Sequence, residues 1–337
     1  MTLKAYGSVF FEEQAIILQA GHLEAIYLPA RGGNLIALRD LRRGYRFLRE
    51  PDRRQMNGEF QQNPNVFGIP VLFPPNRIDQ GRFTWGDHTY TFALNEKQWN
   101  NSLHGILNTA TWEIKGYGSN DEDSYVTGQI LIDAEHPLYQ VFPHKFAMEI
   151  TYRLSEAGLT QEITVENLGD DAMPLMLGFH TSIQIPFLPY RQKDHEYYRI
   201  KIPATKRYQL NDRMLPTGET EELSPFEIEM GQHGVKPYPL KLDSLYQAHT
   251  GDGFHEMSVL DDRHHVTLRY QVDDAFPFWM VWNHFGKPGL FCPEPQTCLV
   301  NAPNLDMPPT ESGMITMDSR QVWKATNRIL IELTSLT

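Results

Sequence analysis

The sequence predicts an all-β protein built as one large antiparallel β-sandwich. Apolar side chains recur at every second position in many short segments, as in strands with one face in a core and the other in water. The 24 glycines and 23 prolines are spread through the 337 residues and separate these segments as turns do. No heptad series and no repeat with a period of about 20 to 50 residues is present, which argues against coiled coils, solenoids and propellers.

The clearest alternation lies in residues 146–167. Apolar residues alternate in 148–154 and again in 161–167, and the turn-forming residues 155–158 lie between them, so we predict a β-hairpin with a four-residue connection. Further short strands are predicted at 15–19, 23–28, 34–39, 82–85, 88–93, 111–117, 125–132, 258–260, 265–271, 278–283 and 327–333. The proline-rich segment 186–240 keeps too many apolar residues for a free linker, and we expect ordered loops with short strands there.

Composition limits the class of ligand and the compartment. A 41% hydrophobic and 12% aromatic content is enough for a large core, and the formal net charge of −12 argues against nucleic-acid or anionic-membrane partners and favours a small neutral ligand. Two cysteines, Cys292 and Cys298, are too few for a disulfide framework. The first residues lack a signal-peptide pattern and no apolar run spans a bilayer, so we expect a cytoplasmic protein.

Positive charge is concentrated in one segment, Arg39 to Arg54. It holds seven arginines against three acidic residues. We interpret it as a solvated hairpin and turn, and a site for an anion is the alternative.

Four segments contain candidate site residues, and two of them offer a group that could bind a ligand. Asn76 and Arg77 follow an apolar, proline-bounded run, and a guanidinium held there offers a rigid fork of donors for hydroxyl or oxyanion groups. The alternative is a structural arginine that binds loop carbonyls. His104 precedes Gly105, so its ring can stand close to a ligand, and it titrates near neutral pH.

The other two segments suggest an acid and a base. His180 ends the apolar run 173–179, a position that often opens onto a cavity. Glu294 lies between Pro293 and Pro295, and this lack of backbone freedom gives the rigid placement that a general base requires.

Several other chemistries find little support. Thirteen histidines are present, but there is no H-E-x-x-H, H-x-H or paired-cysteine spacing, so no metal is expected. His264 and His265 are adjacent and would face opposite sides of a strand, which argues against joint ligation. The two cysteines lack a catalytic context, and nucleotide-binding and serine-hydrolase motifs are absent.

An ordered series of motifs resembles the aldose 1-epimerase (galactose mutarotase) family. The series is Asn76-Arg77-Ile78, Gly81-Arg82-Phe83, Gly86-x-x-x-Tyr90, Leu103-His104-Gly105, Trp112, Gly178-Phe179-His180, Glu294-Pro295-x-Thr297 and Asn301-Ala302-x-Asn304. Each motif is common alone, but their order over residues 63–304 is specific. The resemblance implies a galactose mutarotase-like supersandwich, and a site drawn from such distant segments favours a single domain over residues 1–337.

The resemblance also implies roles. Glu294 matches the family's catalytic base and His180 its catalytic acid. Arg77 and His104 match groups that bind the sugar near its ring and anomeric oxygens, with Asn76 beside them. Asp243 resembles the aspartate that holds the outer hydroxyls, and Trp282 either walls the sugar or packs in the core.

One acid and one base suffice for this chemistry. Removing the proton of the anomeric hydroxyl while protonating the ring oxygen opens the ring, and closure on the other face gives the other anomer. The expected function is interconversion of the α and β anomers of a free aldohexose by a monomer or homodimer, without a cofactor. A hexose-6-phosphate 1-epimerase that uses the arginine segment or Arg82, and a non-catalytic carbohydrate-binding protein, are the alternatives.

Overall fold

The structure is a computed structural model that describes residues 2–333 as a set of antiparallel sheets. In chain order the strands are β1 Leu3–Phe10, β2 Glu13–Ala20, β3 Leu23–Leu28, β4 Asn34–Asp40, β5 Tyr45–Arg46, β6 Val71–Leu72, β7 Arg77–Asp79, β8 Arg82–Trp85, β9 His88–Thr91, β10 Asn101–Leu103, β11 Glu113–Ser119, β12 Ser124–Ile132, β13 Phe146–Ser155, β14 Gly158–Asn167, β15 Met173–Leu175, β16 Gly178–Phe179, β17 Tyr198–Lys201, β18 Ala204–Leu210, β19 Pro216–Glu221, β20 Asp243–Ala248, β21 Phe254–Asp261, β22 Val266–Asp273, β23 Phe278–Trp282, β24 Cys292–Gln296, β25 Ile315–Met317 and β26 Val322–Leu333. The α-helices are short: α1 Arg53–Met56, α2 Glu59–Gln62, α3 Pro225–Gln232 and α4 Pro309–Ser312. The all-β fold expected from the alternation is confirmed.

The N-terminal sheet runs β1 to β5 in chain order and packs on the largest sheet of the protein. Strand β3 is buried along its whole length because it is covered on both faces. Its Tyr27 reaches β12, where a Cβ atom on Gly128 would lie 1.9 Å from the Tyr27 hydroxyl oxygen. The ring centroids of Tyr27 and Tyr152 are 6.0 Å apart. The glycine therefore allows the two sheets to approach.

The largest sheet has the order β11-β12-β13-β14-β26-β22-β21-β17. Its centre contains the predicted hairpin, β13 and β14, whose side chains alternate between core and surface. The connection has two residues instead of the predicted four, because Ser155 and Gly158 are already paired. A Cβ atom on Gly158 would lie 2.0 Å from the Ile329 carbonyl oxygen of β26, so the glycine serves a close strand contact and not a turn.

A seven-stranded sheet, β19-β18-β20-β23-β24-β16-β6, carries the candidate site. Strand β24 was not predicted from the sequence, because Pro293 and Pro295 have no amide hydrogen to donate to a neighbouring strand. The sheet accepts them because β24 pairs fully with β23 but meets β16 only at Gly178 and Gln296. Glu294, which lies between the two prolines, is thereby held rigidly within the sheet.

Two local predictions need correction. Segment 186–240 contains the short strands expected but also the eight-residue helix α3, whose capping box joins Ser224 and Glu227. His264 and His265 lie in the turn between β21 and β22, not in a strand, because Asp261 accepts hydrogen bonds from the backbone and Nδ1 of His264 and so closes the turn.

The arginines of the segment Arg39 to Arg54 are largely paired with carboxylates. Arg39 contacts Glu24 and Glu50, and the other ion pairs join Arg43 to Asp40, Arg46 to Glu50, Arg49 to Glu59 and Arg53 to Glu12. Their positive charge is therefore mostly neutralised locally.

Over residues 2–333, no helix has both the length and the apolar character needed to cross a bilayer. The same part of the chain contains no group of three or more His, Cys, Asp or Glu residues arranged to hold a metal ion. Both cysteines are unpaired and buried.

Candidate active site

A cleft of about 540 Å³ opens beside β23 and β24. All seven residues singled out from the sequence line it: Asn76, Arg77, His104, His180, Asp243, Trp282 and Glu294. They come from strands, strand ends and loops spread over more than 200 positions of the chain. The structure therefore brings the predicted residues together, and their individual roles stay predictions.

Glu294 and His180 form a buried pair at the base of the cleft. Glu294 projects from β24, and His180 follows the two-residue strand β16. The distance between Nε2 of His180 and Oε1 of Glu294 is 3.2 Å, and both side chains are at most 5% exposed. The second polar atoms, Nδ1 of His180 and Oε2 of Glu294, have no hydrogen-bond partner among the described residues. Two neighbouring groups therefore keep unused hydrogen-bonding capacity.

Burial shifts the pKa values of this pair in opposite directions. It raises the pKa of Glu294 well above its ordinary value, an effect increased by the charge of Asp243 and opposed by Arg77 and Asn76. Burial lowers the pKa of His180 to about 4. The ordinary order of the two pKa values is therefore reversed, so that Glu294 takes up a proton at a higher pH than His180 does. Such a pair can release a proton at one atom and accept one at the other.

His104 sits on a strained turn against the base of the cleft. Its φ is 67° and that of Gly105 is 70°. A Cβ atom on Gly105 would lie 2.1 Å from the Phe73 carbonyl oxygen, which explains the glycine. The His104 ring lies perpendicular to that of His180, with centroids 5.0 Å apart. Burial, with help from His180 and Arg77, lowers the pKa of His104 well below its ordinary value, so its ring is neutral.

Arg77 is held by two residues that the sequence analysis did not identify. Its Nε donates to Oε1 and Oε2 of Glu96 at 3.1 and 3.0 Å, and its Nη2 donates to Oε1 at 3.0 Å. Its guanidinium carbon lies 5.2 Å from the Trp99 ring centroid. Nη1 donates to Asn76 Oδ1 at 3.2 Å. The arginine is thus a fixed group of the cleft.

Asp243 and Trp282 face each other in register on β20 and β23. Burial raises the pKa of Asp243, and Arg77 and Lys241 oppose that rise. The Trp282 ring lies 6.1 Å from that of His180 and also packs against the smaller core cluster under the N-terminal sheet. Trp282 therefore both lines the cleft and packs in the core, the two possibilities that its sequence position left open.

The cleft extends further than the predicted residues. Its lining also includes Arg49, Glu59, Gln62, Asn63, Asn65, His284 and Phe285. None of these stood out in the sequence except Arg49, as one arginine among seven. Their common signal is weak, since none of them lies in a strand and alternation therefore does not select them.

The comparisons with known proteins agree on one family. A family model described as aldose 1-epimerase matches residues 14–329. The chain belongs to the aldose 1-epimerase family. A galactose mutarotase-like protein from Clostridium acetobutylicum, solved as a crystal structure, is 31% identical with a TM-score of 0.93, and the match covers 98% of this chain and 99% of that one.

Two more distant proteins also resemble this aldose 1-epimerase family member. A putative aldose 1-epimerase from Escherichia coli K12 is 15% identical with a TM-score of 0.72, and the match covers 94% of this chain and 98% of the other. The uncharacterized protein YihR of Escherichia coli K12 is 24% identical over 247 residues, which are 72% of this chain and 74% of YihR. The family and the galactose mutarotase-like fold expected from the sequence motifs are thus confirmed.

Proposed function

We propose that this protein is an aldose 1-epimerase that interconverts the α and β anomers of a free aldohexose. The observation that carries the proposal is the buried Glu294–His180 pair, with 3.2 Å between its nearest atoms, at the base of an open cleft. A carboxylate and an imidazole within reach of one ligand are the two groups that ring opening needs. Family membership supports the same chemistry.

The proposed mechanism uses the form of the pair in which the proton lies on His180 and not on Glu294. In that form the Glu294 carboxylate removes the proton of the anomeric hydroxyl. As the C1–O1 bond gains double-bond character, the bond between C1 and the ring oxygen breaks, and protonated His180 gives its proton to that oxygen. The aldehyde group rotates, and the reverse transfers close the ring on the other face. Each transfer contributes about 10²–10⁴-fold to the rate. The raised pKa of Glu294 makes its carboxylate a stronger base than an exposed glutamate.

The neighbouring side chains bind and orient the sugar in this mechanism. The guanidinium of Arg77 and the neutral ring of His104 offer donors near the ring and anomeric oxygens. Asn76 and Asp243 hydrogen-bond to further hydroxyl groups. Trp282 gives an apolar wall for the carbon face of the ring.

The charges around the cleft favour a neutral sugar over a phosphorylated one. Arg49 is the single member of the Arg39 to Arg54 segment that lines the cleft, and its Nη2 donates to Glu59 at 2.8 Å. Arg82 is exposed and lies outside the cleft lining. A phosphate would have to displace Glu59 from its arginine, and the net charge of −12 would repel it.

Polarimetry of freshly dissolved α-glucose and α-galactose tests the proposal. We expect the protein to speed the approach to the equilibrium rotation, and Glu294→Gln, purified in the same way, to lose at least about 10²-fold. Glu122→Gln is the matched control, because Glu122 is exposed and outside the cleft.

Three outcomes would contradict parts of the proposal. A wild-type protein that binds sugar in calorimetry but speeds no mutarotation is a binding protein and not an enzyme. Full activity of Glu294→Gln would refute the assigned base. Strong inhibition by glucose 6-phosphate that disappears in Arg49→Gln would favour a hexose-6-phosphate 1-epimerase.

A further inference from the structure

A turn outside the cleft is bound to the loop 95–100, which precedes β10. The turn joins β18 to β19 and contains Arg213, which lies outside the cleft lining. Nε of Arg213 donates to the carbonyl oxygen of Trp99 at 2.8 Å. Its Nη2 has three acceptors within hydrogen-bond distance: Oδ1 of Asp79 at 2.6 Å, Oδ1 of Asn101 at 3.0 Å and the carbonyl oxygen of Asn100 at 3.2 Å. One guanidinium therefore joins β7, β10 and the loop 95–100.

The turn is shaped to hold this arginine. Oδ1 of Asn211 accepts hydrogen bonds from the backbone amides of Arg213 and Leu215, at 2.8 and 3.2 Å. Met214 has a φ of 60°, a left-handed conformation that is unfavourable for a residue other than glycine. The backbone of Arg213 is thus fixed as well as its guanidinium.

Asn101 links Arg213 to the buried ion pair of the cleft. Its side chain is buried, and its Nδ2 donates to Oε2 of Glu96 and to the carbonyl oxygen of Arg213, each at 3.1 Å. Glu96 in turn accepts three hydrogen bonds from Arg77. Two buried side chains therefore connect the arginine of the turn to the arginine of the cleft.

The main chain of β7 is held separately, by the asparagine motif 301–304 that the proposed mechanism leaves unused. The amide of Asn301 donates to the carbonyl oxygen of Arg77 at 3.0 Å, and its Oδ1 accepts from the amide of Asp79 at 2.9 Å. Nδ2 of Asn304 donates to Oδ1 of Asn301 at 2.7 Å. The motif therefore fixes the backbone of Arg77, whereas the guanidinium of Arg77 depends on the loop that Arg213 holds.

The loop 95–100 is in contact with water on its outer side. Three of its residues are exposed: Lys97, Gln98 and Asn100. Exposed loops open at a low free-energy cost unless side chains hold them. Opening would withdraw two groups from Arg77, the carboxylate of Glu96 and the Trp99 ring, whose centroid lies 5.2 Å from the guanidinium carbon.

We propose that Arg213 is a positioning residue that keeps the loop 95–100 closed and thereby holds Arg77 in place for sugar binding. It acts through Asn101, Glu96 and the main chain of Trp99, and it touches no reacting atom. This inference rests on the proposed mutarotation. When the loop is open part of the time, the apparent affinity for sugar falls by the fraction of protein in which it is closed.

Mutarotation kinetics of glucose test this role in Arg213→Gln. We expect KM to rise about tenfold, as it does when the loop is closed about one tenth of the time, and kcat to change by less than about twofold. Arg213→Lys keeps the charge beside Asp79 but replaces the guanidinium fork by one nitrogen, so its KM should stay at least about threefold above that of the wild type.

Arg199→Gln is the matched control. The Arg199 side chain is 33% exposed, against 36% for Arg213, and it also binds a carboxylate and a backbone carbonyl, those of Asp262 and His233. It lies outside the cleft lining and away from the loop 95–100. We expect this variant to keep the KM of the wild type.

Hydrogen exchange measures closure of the loop without relying on activity. In Arg213→Gln, we expect amides in peptides covering residues 95–103 to exchange at least about tenfold faster than in the wild type, with little change in the large sheets. Arg199→Gln should leave exchange in 95–103 unchanged.

Three results overturn the inference while leaving mutarotation by the wild type intact. They are an unchanged KM in Arg213→Gln, a fall in kcat at constant KM, and full recovery of KM in Arg213→Lys, which would show that only the charge beside Asp79 matters. If the wild type speeds mutarotation of no sugar, the proposed function fails, and hydrogen exchange then decides whether Arg213 holds the loop. Faster exchange confined to 95–103 and the turn supports that role, and unchanged or generally faster exchange refutes it.

Discussion

Replacing Glu96 by glutamine tests whether the buried carboxylate positions Arg77. In the native protein the two carboxylate oxygens accept three hydrogen bonds from the guanidinium, and Oε2 accepts a fourth from Asn101. Both side chains of the ion pair are at most 8% exposed. Glutamine keeps the shape but has one acceptor oxygen and no charge, so Arg77 becomes a buried cation without a counter-ion.

The expected loss of stability is large for a single substitution. Removing one partner of a buried ion pair costs about 3–5 kcal/mol. The conserved shape and the remaining acceptor of glutamine place Glu96→Gln near the lower value, about 3 kcal/mol. Because stabilities of folded proteins are about 5–15 kcal/mol, this is a substantial share of the total.

The substitution also changes the charge felt by the proposed base. Arg77 lowers the pKa of both Glu294 and Asp243, and Glu96 raises that of Asp243. Without Glu96 the field of Arg77 is uncompensated, so the pKa of Glu294 shifts down. On the alkaline side of the pH–rate profile, mutarotation should therefore begin to slow at a lower pH than in the native protein. A purely structural role for Glu96 does not produce this effect.

Chemical denaturation and a pH–rate profile together measure these effects. Glu59→Gln is the matched control, because it removes a 43% exposed partner of Arg49 and costs at most about 1 kcal/mol. The reasoning is refuted if Glu96→Gln unfolds at the same denaturant concentration as the control. Unchanged stability together with an unchanged pH profile would show that Glu96 neither stabilises nor positions Arg77.

Three further predictions concern pH and backbone geometry. Because the pKa of His180 is about 4, the mutarotation rate stays flat as pH falls through 6.5 and drops only near pH 4, where both members of the pair become protonated; a rate that halves near pH 6.5 would contradict this. Burial also lowers the pKa of His144 to about 4, so the unfolded chain binds more protons than the folded protein between pH 4 and 6.5, and stability falls as the pH drops through that window. In His144→Gln, the change in the free energy of unfolding between pH 6.5 and 4 should be smaller by up to about 3 kcal/mol. An unchanged pH dependence of stability in this variant would refute the lowered pKa of His144. Gly105→Ala, whose Cβ atom would meet the Phe73 carbonyl oxygen at 2.1 Å, should lose activity and more than about 2 kcal/mol of stability, whereas Gly86→Ala, with a similar positive φ but open space, should lose about 1 kcal/mol and no activity; equal effects of the two would show that the close approach is unimportant.

Strands with one buried face and one solvent-exposed face could be predicted from the sequence. β13 and β14 alternate because one side of each strand is buried and the other is not. β24 could not be found in this way, since it is buried along its length and contains two prolines. The helix α3 did carry a local signal, Ser224 followed three residues later by Glu227, but a search for period two does not detect a capping box.

The candidate site shows the same limit. Glu294 and His180 stood out because rigid or apolar neighbours surround each of them. Glu96 did not, because its partner Arg77 is 19 residues away and the pair depends on how strand β7 packs against the loop that precedes β10. Phe285 was also missed, since only the structure shows that it is exposed inside a cleft. Candidate site residues could be identified from the local sequence, but the residues that interact with them are determined by tertiary contacts.

The most direct test of the central claim is exchange between the two anomeric protons of glucose at equilibrium, measured by NMR exchange spectroscopy. The account predicts that catalytic amounts of the wild-type protein produce exchange cross-peaks between the α and β H1 signals, that Glu122→Gln produces them equally, and that Glu294→Gln does not. Cross-peaks of equal intensity with Glu294→Gln and the wild type would contradict the role of the buried carboxylate. The absence of cross-peaks with the wild type, for glucose and galactose alike, would contradict the proposed epimerase activity itself.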